Sequence, residues 1–311
     1  MKPYKSKEGR IRSSGFSSVV FVLLTLLVSF AFDLMAAEET PAPDLAALFR
    51  YDANVPFSVK ESGSEKRGDV TVHDITFSGT VAPVKAFLVQ PAGKGPFAAI
   101  LYVHWLGEPE TTNRTEFLDE AVRLASRGAV SLLIDSMWAQ AGWYEKRVPE
   151  EDFDNSIRQV IDLRRAMDFL VSQPGVDPRR IGFVGHDFGA MYGAVMGAVD
   201  PRPLTYVLIA GTPVFSDWYL FAAQPRDLPG FKKQMSAIDP GALVTAIKDA
   251  SIFFQFADSD RYVSEQDAQN FYKAANPRKH MATYHADHGM AGENIRADRN
   301  RWLTAELGLK Q

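Results

Sequence analysis

The stretch Arg180–Gly193, RIGFVGHDFGAMYG, decides how this chain is read. Ile181–Val184 (IGFV) is a short apolar run with the make-up of a strand buried on both faces. Ala190–Ala198 is a run of small residues with the spacing of a packed helix. Only Gly185-His186-Asp187-Phe188-Gly189 lies between them, too little for a loop, so the strand turns directly into the helix. Glycines at both sides of the turn let the two backbones approach closely and tolerate strained dihedrals. Such a strand–turn–helix presents its central side chain, here Asp187, at the end of a sheet.

The alternation of strand and helix continues on both sides. Upstream, Val70–Phe77 (VTVHDITF) alternates at period two and, with Val81–Gln90, predicts an antiparallel hairpin at a sheet edge. Phe97–Val103 (FAAILYV) and Ala129–Ile134 (AVSLLI) are continuous apolar runs expected to be buried strands. Amphipathic helices are expected at Phe117–Arg127 and Asp152–Gln173. Downstream, strands are predicted at Leu204–Ala210, Ile252–Phe256 and Ala282–Tyr284, with helices at Ser264–Ala275 and Glu293–Leu307. Strand and helix in turn imply an α/β fold: a mainly parallel central sheet with helices on both faces, joined by right-handed crossovers. The domain is placed at residues 70–311, after a polar lead-in over 38–69 with one short helix near Leu45–Arg50. Residues 212–250 do not continue the alternation and are rich in aromatics at first (Phe215, Trp218, Tyr219, Phe221). They are read as a small cap over the strand ends, where ligands sit in such sheets; the alternative is a surface excursion.

Composition narrows the function classes. The 311 residues include no cysteine, which removes disulfides, thiol nucleophiles and Cys-based metal sites. Lys and Arg total 34 against 38 Asp and Glu, a net charge of −4, so nothing points to nucleic acid. The N-terminus is basic (Lys2, Lys5, Lys7, Arg10, Arg12), then apolar from Val19 to Phe32, then small and acidic at Ala36-Ala37-Glu38-Glu39. This is the pattern of a secretory signal over residues 1–37 and implies a periplasmic or secreted protein. The alternative is a retained anchor over residues 13–32. Without residues 1–37 the chain keeps 29 basic and 36 acidic residues, a net charge of −7.

Residues 70–308 resemble the α/β-hydrolase superfamily. Pro91–His104 (PAGKGPFAAILYVH) and Val176–Gly189 are most similar to its dienelactone hydrolase and related esterase branch. Asp187 stands where those esterases have serine. The Gly-His-Asp-aromatic-Gly turn is similar instead to haloalkane dehalogenases and epoxide hydrolases, whose aspartate is the nucleophile. A carboxylate attacking a carboxylic ester gives a mixed anhydride; attacking a saturated carbon it gives an ordinary ester, which water can hydrolyse. The alternative roles for Asp187 are a helix cap or a relic of a former esterase.

The chain order nucleophile, acid, histidine points to His288, in Tyr284–Met290 (YHADHGM) after the last strand, with His285 as competitor. Phe254–Ser264 (FQFADSDRYVS) offers Asp260 as the acid, with Asp258 and Asp217 as alternatives. Oxyanion donors are expected at the backbone N–H groups of Phe188 and Trp105. His104 and His186 read as structural neighbours, and His73 and His280 are not spaced as a metal site. Phe188 cannot supply the indole N–H that holds a halide in dehalogenases; Trp105 and Trp138 are candidate substitutes, but aromatic packing is the expected role of both. Tyr219 and Tyr144 are candidates for the tyrosines that protonate an opening epoxide oxygen. The expectation is therefore a hydrolase of a small-molecule substrate in which Asp187 is the nucleophile and forms an ester intermediate, His288 activates the water that hydrolyses it and Asp260 orients His288, with no metal or organic cofactor. The alternatives are a dienelactone hydrolase-like esterase or lactonase, and a non-catalytic binding protein with the same fold. A membrane association is expected only if the N-terminal segment is retained.

Overall fold

Phe97–Val103 and Val176–His186 run parallel at the centre of a sheet, with Val103 level with Gly185. The computed structural model describes residues 44–107, 112–221 and 223–311. The segment read as a signal or anchor, residues 1–37, lies outside them. Among the described residues no helix is long and apolar enough to cross a membrane.

The strands are β1 (Lys60–Arg67), β2 (Val70–Ser78), β3 (Pro83–Pro91), β4 (Phe97–Val103), β5 (Ala129–Ile134), β6 (Val176–His186), β7 (Thr205–Ile209), β8 (Ser251–Ala257) and β9 (Lys279–Tyr284). The helices are α1 (Leu45–Leu48), α2 (Leu118–Ala125), α3 (Trp143–Lys146), α4 (Asp152–Val171), α5 (Phe188–Val199), α6 (Phe215–Tyr219), α7 (Leu228–Ser236), α8 (Pro240–Leu243), α9 (Glu265–Ala274) and α10 (Glu293–Glu306). The sheet order is β1-β2-β3-β5-β4-β6-β7-β8-β9. The first three strands pair antiparallel, β3 joins β5 antiparallel, and every later pair is parallel. This is the expected mainly parallel sheet with an antiparallel N-terminal region.

The expected hairpin is not at the edge, because β1 lies outside β2. Residues 60–67 (KESGSEKR) are exposed along nearly the whole strand, so they carry no alternation that a sequence reading could detect. A short, charged outermost strand of this kind also discourages edge-to-edge pairing. The short helix in the lead-in does form, as α1, capped by Asp44, whose carboxylate accepts from Ala46 and Ala47.

The inner strands are apolar because both faces are covered: every residue of β5 and β7 is buried, as is β4 from Ala98 on. Helix α5 follows from its small residues. A Cβ on Gly193 would meet the Phe183 ring at 2.1 Å, so glycine there lets the helix lie directly on β6. On the other side Arg299 of α10 pairs with Glu120 of α2 at 2.7 Å and with Gln255 of β8 at 3.0 Å, satisfying a buried charge with a buried partner. Residues 212–250 fold into α6, α7 and α8, and α6 turns Phe215, Trp218 and Tyr219 inward.

Candidate active site

Asp187 sits between the last residue of β6 and the first of α5 with φ +57° and ψ −118°, a left-handed backbone that a non-glycine residue rarely adopts. The turn is held from both sides. Asp187 N–H donates to Ile209 C=O at 2.8 Å, and Met191 N–H donates back to Asp187 C=O at 3.0 Å. The two glycines are required by contact: a Cβ on Gly185 would lie 2.3 Å from Gly189 O, and one on Gly189 would lie 2.4 Å from Val103 O. Strain of this kind persists where surrounding packing over-determines it, which is characteristic of functional turns.

The Asp187 side chain makes no cap bond to α5. It is fully buried and points across the strand ends, where Oδ2 accepts from Leu106 N–H at 3.0 Å. The same oxygen lies 3.8 Å from His288 Nε2, an ion-pair distance and not a hydrogen bond. Asp187 Oδ1 and His288 Nε2 are both buried without a hydrogen-bond partner. His288 Nδ1 meets Asp260 Oδ2 at 2.8 Å. Asp260 Oδ1 is fixed in turn by the N–H groups of Tyr262 (2.8 Å) and Val263 (3.1 Å). Asp187, His288 and Asp260 thus converge from the ends of β6, β9 and β8.

The electrostatics follow from burial and mutual charge. Burial pushes the Asp187 carboxyl up from its ordinary value, against His288 and the Leu106 N–H, which pull it down. For His288, burial would lower the pKa, but the two carboxylates outweigh it and raise it to about 9. Burial likewise pushes Asp260 up, and His288 with the two backbone N–H groups overcomes this and leaves it lowered.

The competing residues pair elsewhere. Asp258 binds His285 Nδ1 at 3.0 Å on the surface, and Asp217 is exposed on α6. Glu61 holds His73 at the sheet edge, and the rings of His280 and Trp302 stack. His104 has the structural place expected of it: Nδ1 meets Trp105 C=O at 2.8 Å and Nε2 accepts from Ser136 N–H at 3.1 Å.

Around Asp187, His288 and Asp260, most of the other candidate residues are engaged within the protein. The loop N–H that reaches Asp187 belongs to Leu106, one residue beyond Trp105, whose own N–H donates to Glu116 Oε2 at 3.0 Å. The Trp105 ring instead stacks on His186 (5.4 Å) and lies 5.6 Å from His288. Tyr219 is buried beside Phe188, but its hydroxyl contacts Tyr192 and Ser156, and Tyr144 donates to Trp218 C=O. Trp138 gives its indole N–H to His104 C=O at 3.1 Å. The tyrosine hydroxyls and the Trp138 indole N–H are therefore engaged within the protein. Phe188 N–H, at the first position of α5, has no acceptor inside the helix. Trp218, at 5.4 Å, and Tyr262, at 5.0 Å, flank the His288 ring.

Glu116, which the sequence did not single out, and His186, read there as a structural neighbour, organise this end of the sheet. Glu116 Oε1 meets His186 Nδ1 at 2.7 Å, and His186 Nε2 meets the His288 carbonyl at 2.9 Å. In sequence Glu116 is one acidic residue of a polar loop and His186 a routine neighbour of the turn.

Comparison with known proteins agrees with this architecture. Residues 163–276 match the family described as BAAT / Acyl-CoA thioester hydrolase C terminal. A curated relative, the polyketide transferase ATR5 of Stachybotrys chlorohalonatus, is 34% identical over 92 residues, 30% of this chain and 30% of that protein. The match thus spans less than a third of that relative. Acetyl xylan esterase 1 from Thermoanaerobacterium sp. JW/SL YS485 superposes with a TM-score of 0.68 at 15% identity, over 85% of this chain and 92% of that one. The acetyl xylan esterase of Paenibacillus sp. R4 gives 0.67 at 17% identity, over 84% and 92%. A dienelactone hydrolase-like protein from Klebsiella pneumoniae gives 0.58 at 15% identity, over 78% and 99%. The chain has the α/β-hydrolase fold, in the form that these esterases and the dienelactone hydrolase-like protein share.

Proposed function

We propose that this protein is a hydrolase in which His288, steadied by Asp260, delivers water to a carboxylic ester or lactone bound beside Asp187. The observation that carries the reading is His288 itself. Its Nδ1 is held by Asp260 while Nε2, 3.8 Å from Asp187, has no partner and is the open position of a general base. The similar folds of the acetyl xylan esterases and the dienelactone hydrolase-like protein support the substrate class. Neutral His288 takes a proton from water, and the hydroxide adds to the acyl carbon. The carbonyl oxygen, now negative, accepts from Phe188 N–H. Asp187 and Asp260 flank the imidazolium that forms. The tetrahedral species then expels the alkoxide, which recovers the proton from Nε2, leaving acid and alcohol.

A second reading is favoured by the Leu106 contact. With Oδ2 held by Leu106 N–H, Asp187 presents Oδ1 with its lone pairs unused. Attack of Oδ1 on a saturated carbon would break that carbon's bond to a halide or epoxide oxygen. The product is an ester whose carbonyl oxygen, Oδ2, already rests on a donor. Water activated by His288 would then add to Asp187 Cγ and release the alcohol.

One experiment separates the readings. Wild-type protein and His288→Gln are incubated with esters, lactones, epoxides and haloalkanes in 18O-water, and products and intact protein are weighed. Under the first reading the wild type cleaves esters or lactones, the label enters the product acid, and neither protein carries an adduct. Label in the Asp187 carboxylate, or a stable adduct on His288→Gln, establishes the second. Absence of turnover across the whole panel overturns both.

A further inference from the structure

A cavity of about 450 Å3 opens beside the start of β3, the loop after β5 and one face of α4. It shares no residue with the Asp187–His288–Asp260 cluster. The sheet order puts β4 between β5 and β6, so the cavity is displaced from the turn by two ladder spacings, roughly 10 Å. Asn155, Arg158, Gln159 and Asp162 reach it together because residues three, four and seven apart share a helix face.

Two of the residues lining it are over nine-tenths buried and carry polar groups without partners, Ser136 at Oγ and Gln159 at Nε2. The amide orientation of Gln159 is fixed, since Oε1 accepts from Met137 N–H at 2.9 Å, and the free end must be the N–H2 donor. A donor left buried and unpaired is costly, and a ligand acceptor would relieve that cost. The charges point the same way. The two acids in the wall are engaged, Asp135 by Arg114 at 2.8 Å and Asp162 by Thr80 N–H at 2.7 Å and Thr80 Oγ1 at 3.1 Å. The cations Lys85 and Arg158 stand exposed at the cavity, while Val81, Met137 and Trp143 give it an apolar side.

We propose that this cavity is a second ligand site, separate from the triad, for a small organic carboxylate whose apolar body lies on Met137 and Trp143. The carboxylate accepts from Gln159 Nε2 and Ser136 Oγ and faces Lys85 and Arg158. Trp143 also packs edge-on against Phe188 at 6.1 Å, so occupancy is felt by the ring next to Asp187.

The test is calorimetric titration with 4-phenylbutyrate and its neutral analogue 4-phenylbutyramide. Gln159→Glu keeps the acceptor for Met137 N–H and replaces only the free donor by a carboxylate oxygen; Lys85→Glu changes an exposed side chain and serves where the first variant fails to fold. The acid is expected to bind the wild type saturably, and each variant to weaken it by about tenfold or more, the value of a charge-assisted hydrogen bond. The amide is expected to bind the wild type weakly, and His288→Gln to bind the acid as the wild type does. Unchanged affinity in a folded Gln159→Glu and in Lys85→Glu, loss of binding in His288→Gln, or no binding up to about 10 mM acid overturns the proposal.

Discussion

The Glu116 carboxylate holds His186 Nδ1 at 2.7 Å with one oxygen and, with the other, the Trp105 N–H at 3.0 Å. His186 passes the constraint on to the backbone carbonyl of His288 at 2.9 Å. One carboxylate therefore ties the loop of Leu106 and the loop of His288 to the same turn. Glu116→Ala is expected to cut kcat by roughly 10- to 100-fold, the value of a hydrogen bond to a charged group, with KM changed much less. Glu116→Gln keeps an acceptor for Trp105 and a partner for His186, and its kcat should stay within about threefold of the wild type. Equal losses in both variants, or a loss confined to KM, would show that Glu116 does not position the loops.

Gly189 approaches the backbone of β4 too closely for any side chain, with Val103 O at 2.4 Å and His104 O at 3.0 Å from a Cβ built there. Overpacking against backbone, which cannot rotate away, costs about 1–3 kcal/mol or more. Gly189→Ala should therefore lower Tm by roughly 2–6 °C in a chain of this size and displace Asp187 from Leu106. Gly63 has open space around the same position, so Gly63→Ala is the control and should leave Tm unchanged. Thermal scans of the two variants decide the matter; a Gly189→Ala protein as stable as the control would remove the close approach from the account.

What the sequence made legible follows from where physical constraints are local. The buried strands β4, β5 and β7 are continuous apolar runs, and the turn at Asp187 is written in two glycines within five residues. Asp260 and His288 were reachable because each follows a strand in the expected chain order. Strand β1 left no trace because its residues face solvent and carry no apolar alternation. The donor at Leu106 is displaced by one residue from the expected Trp105 because loop path, not residue type, decides which N–H points inward. Glu116 was invisible for a similar reason: it meets His186 across 70 residues of chain, and nothing in its local sequence sets it apart.

Tyr262 offers a test of the aromatic surround of His288. Its N–H serves Asp260, while its ring, about half exposed, lies edge-on to His288 at 5.0 Å and tilted against Trp218 at 5.8 Å. Tyr262→Ala keeps the N–H and removes only the ring. KM for esters with a bulky apolar acyl group should rise by about 3- to 10-fold, in keeping with the loss of one aromatic contact, and kcat should hold within about twofold. Initial rates over a series from acetate to phenylacetate esters read this directly. A fall in kcat at constant KM would mean that the ring acts on the base and not on the substrate.

The raised His288 pKa gives the water-delivery reading a pH signature. Its two carboxylate neighbours lift it to about 9 from an ordinary 6.5, so at neutral pH most of the base is protonated. Under direct water attack the neutral form does the work, and kcat/KM should climb close to tenfold per pH unit from 7 and level off near 9. The alkyl-transfer reading behaves differently, because its first step needs the Asp187 carboxylate and an esterified Asp187 no longer lifts His288; its kcat/KM should be flat across the same range. Asp260→Asn removes one lifting charge, so the rising limb should move to lower pH, with a lower plateau from the misoriented ring. Stability carries the same sign. A histidine raised on folding contributes stability that is fully present below pH 6.5 and lost as pH rises through 9. The wild-type Tm should therefore fall between pH 7 and 9 more steeply than that of Asp260→Asn. Rate and melting profiles over pH 6–10 test both; a limb that stays in place in Asp260→Asn would show that Asp260 does not set the charge state of His288.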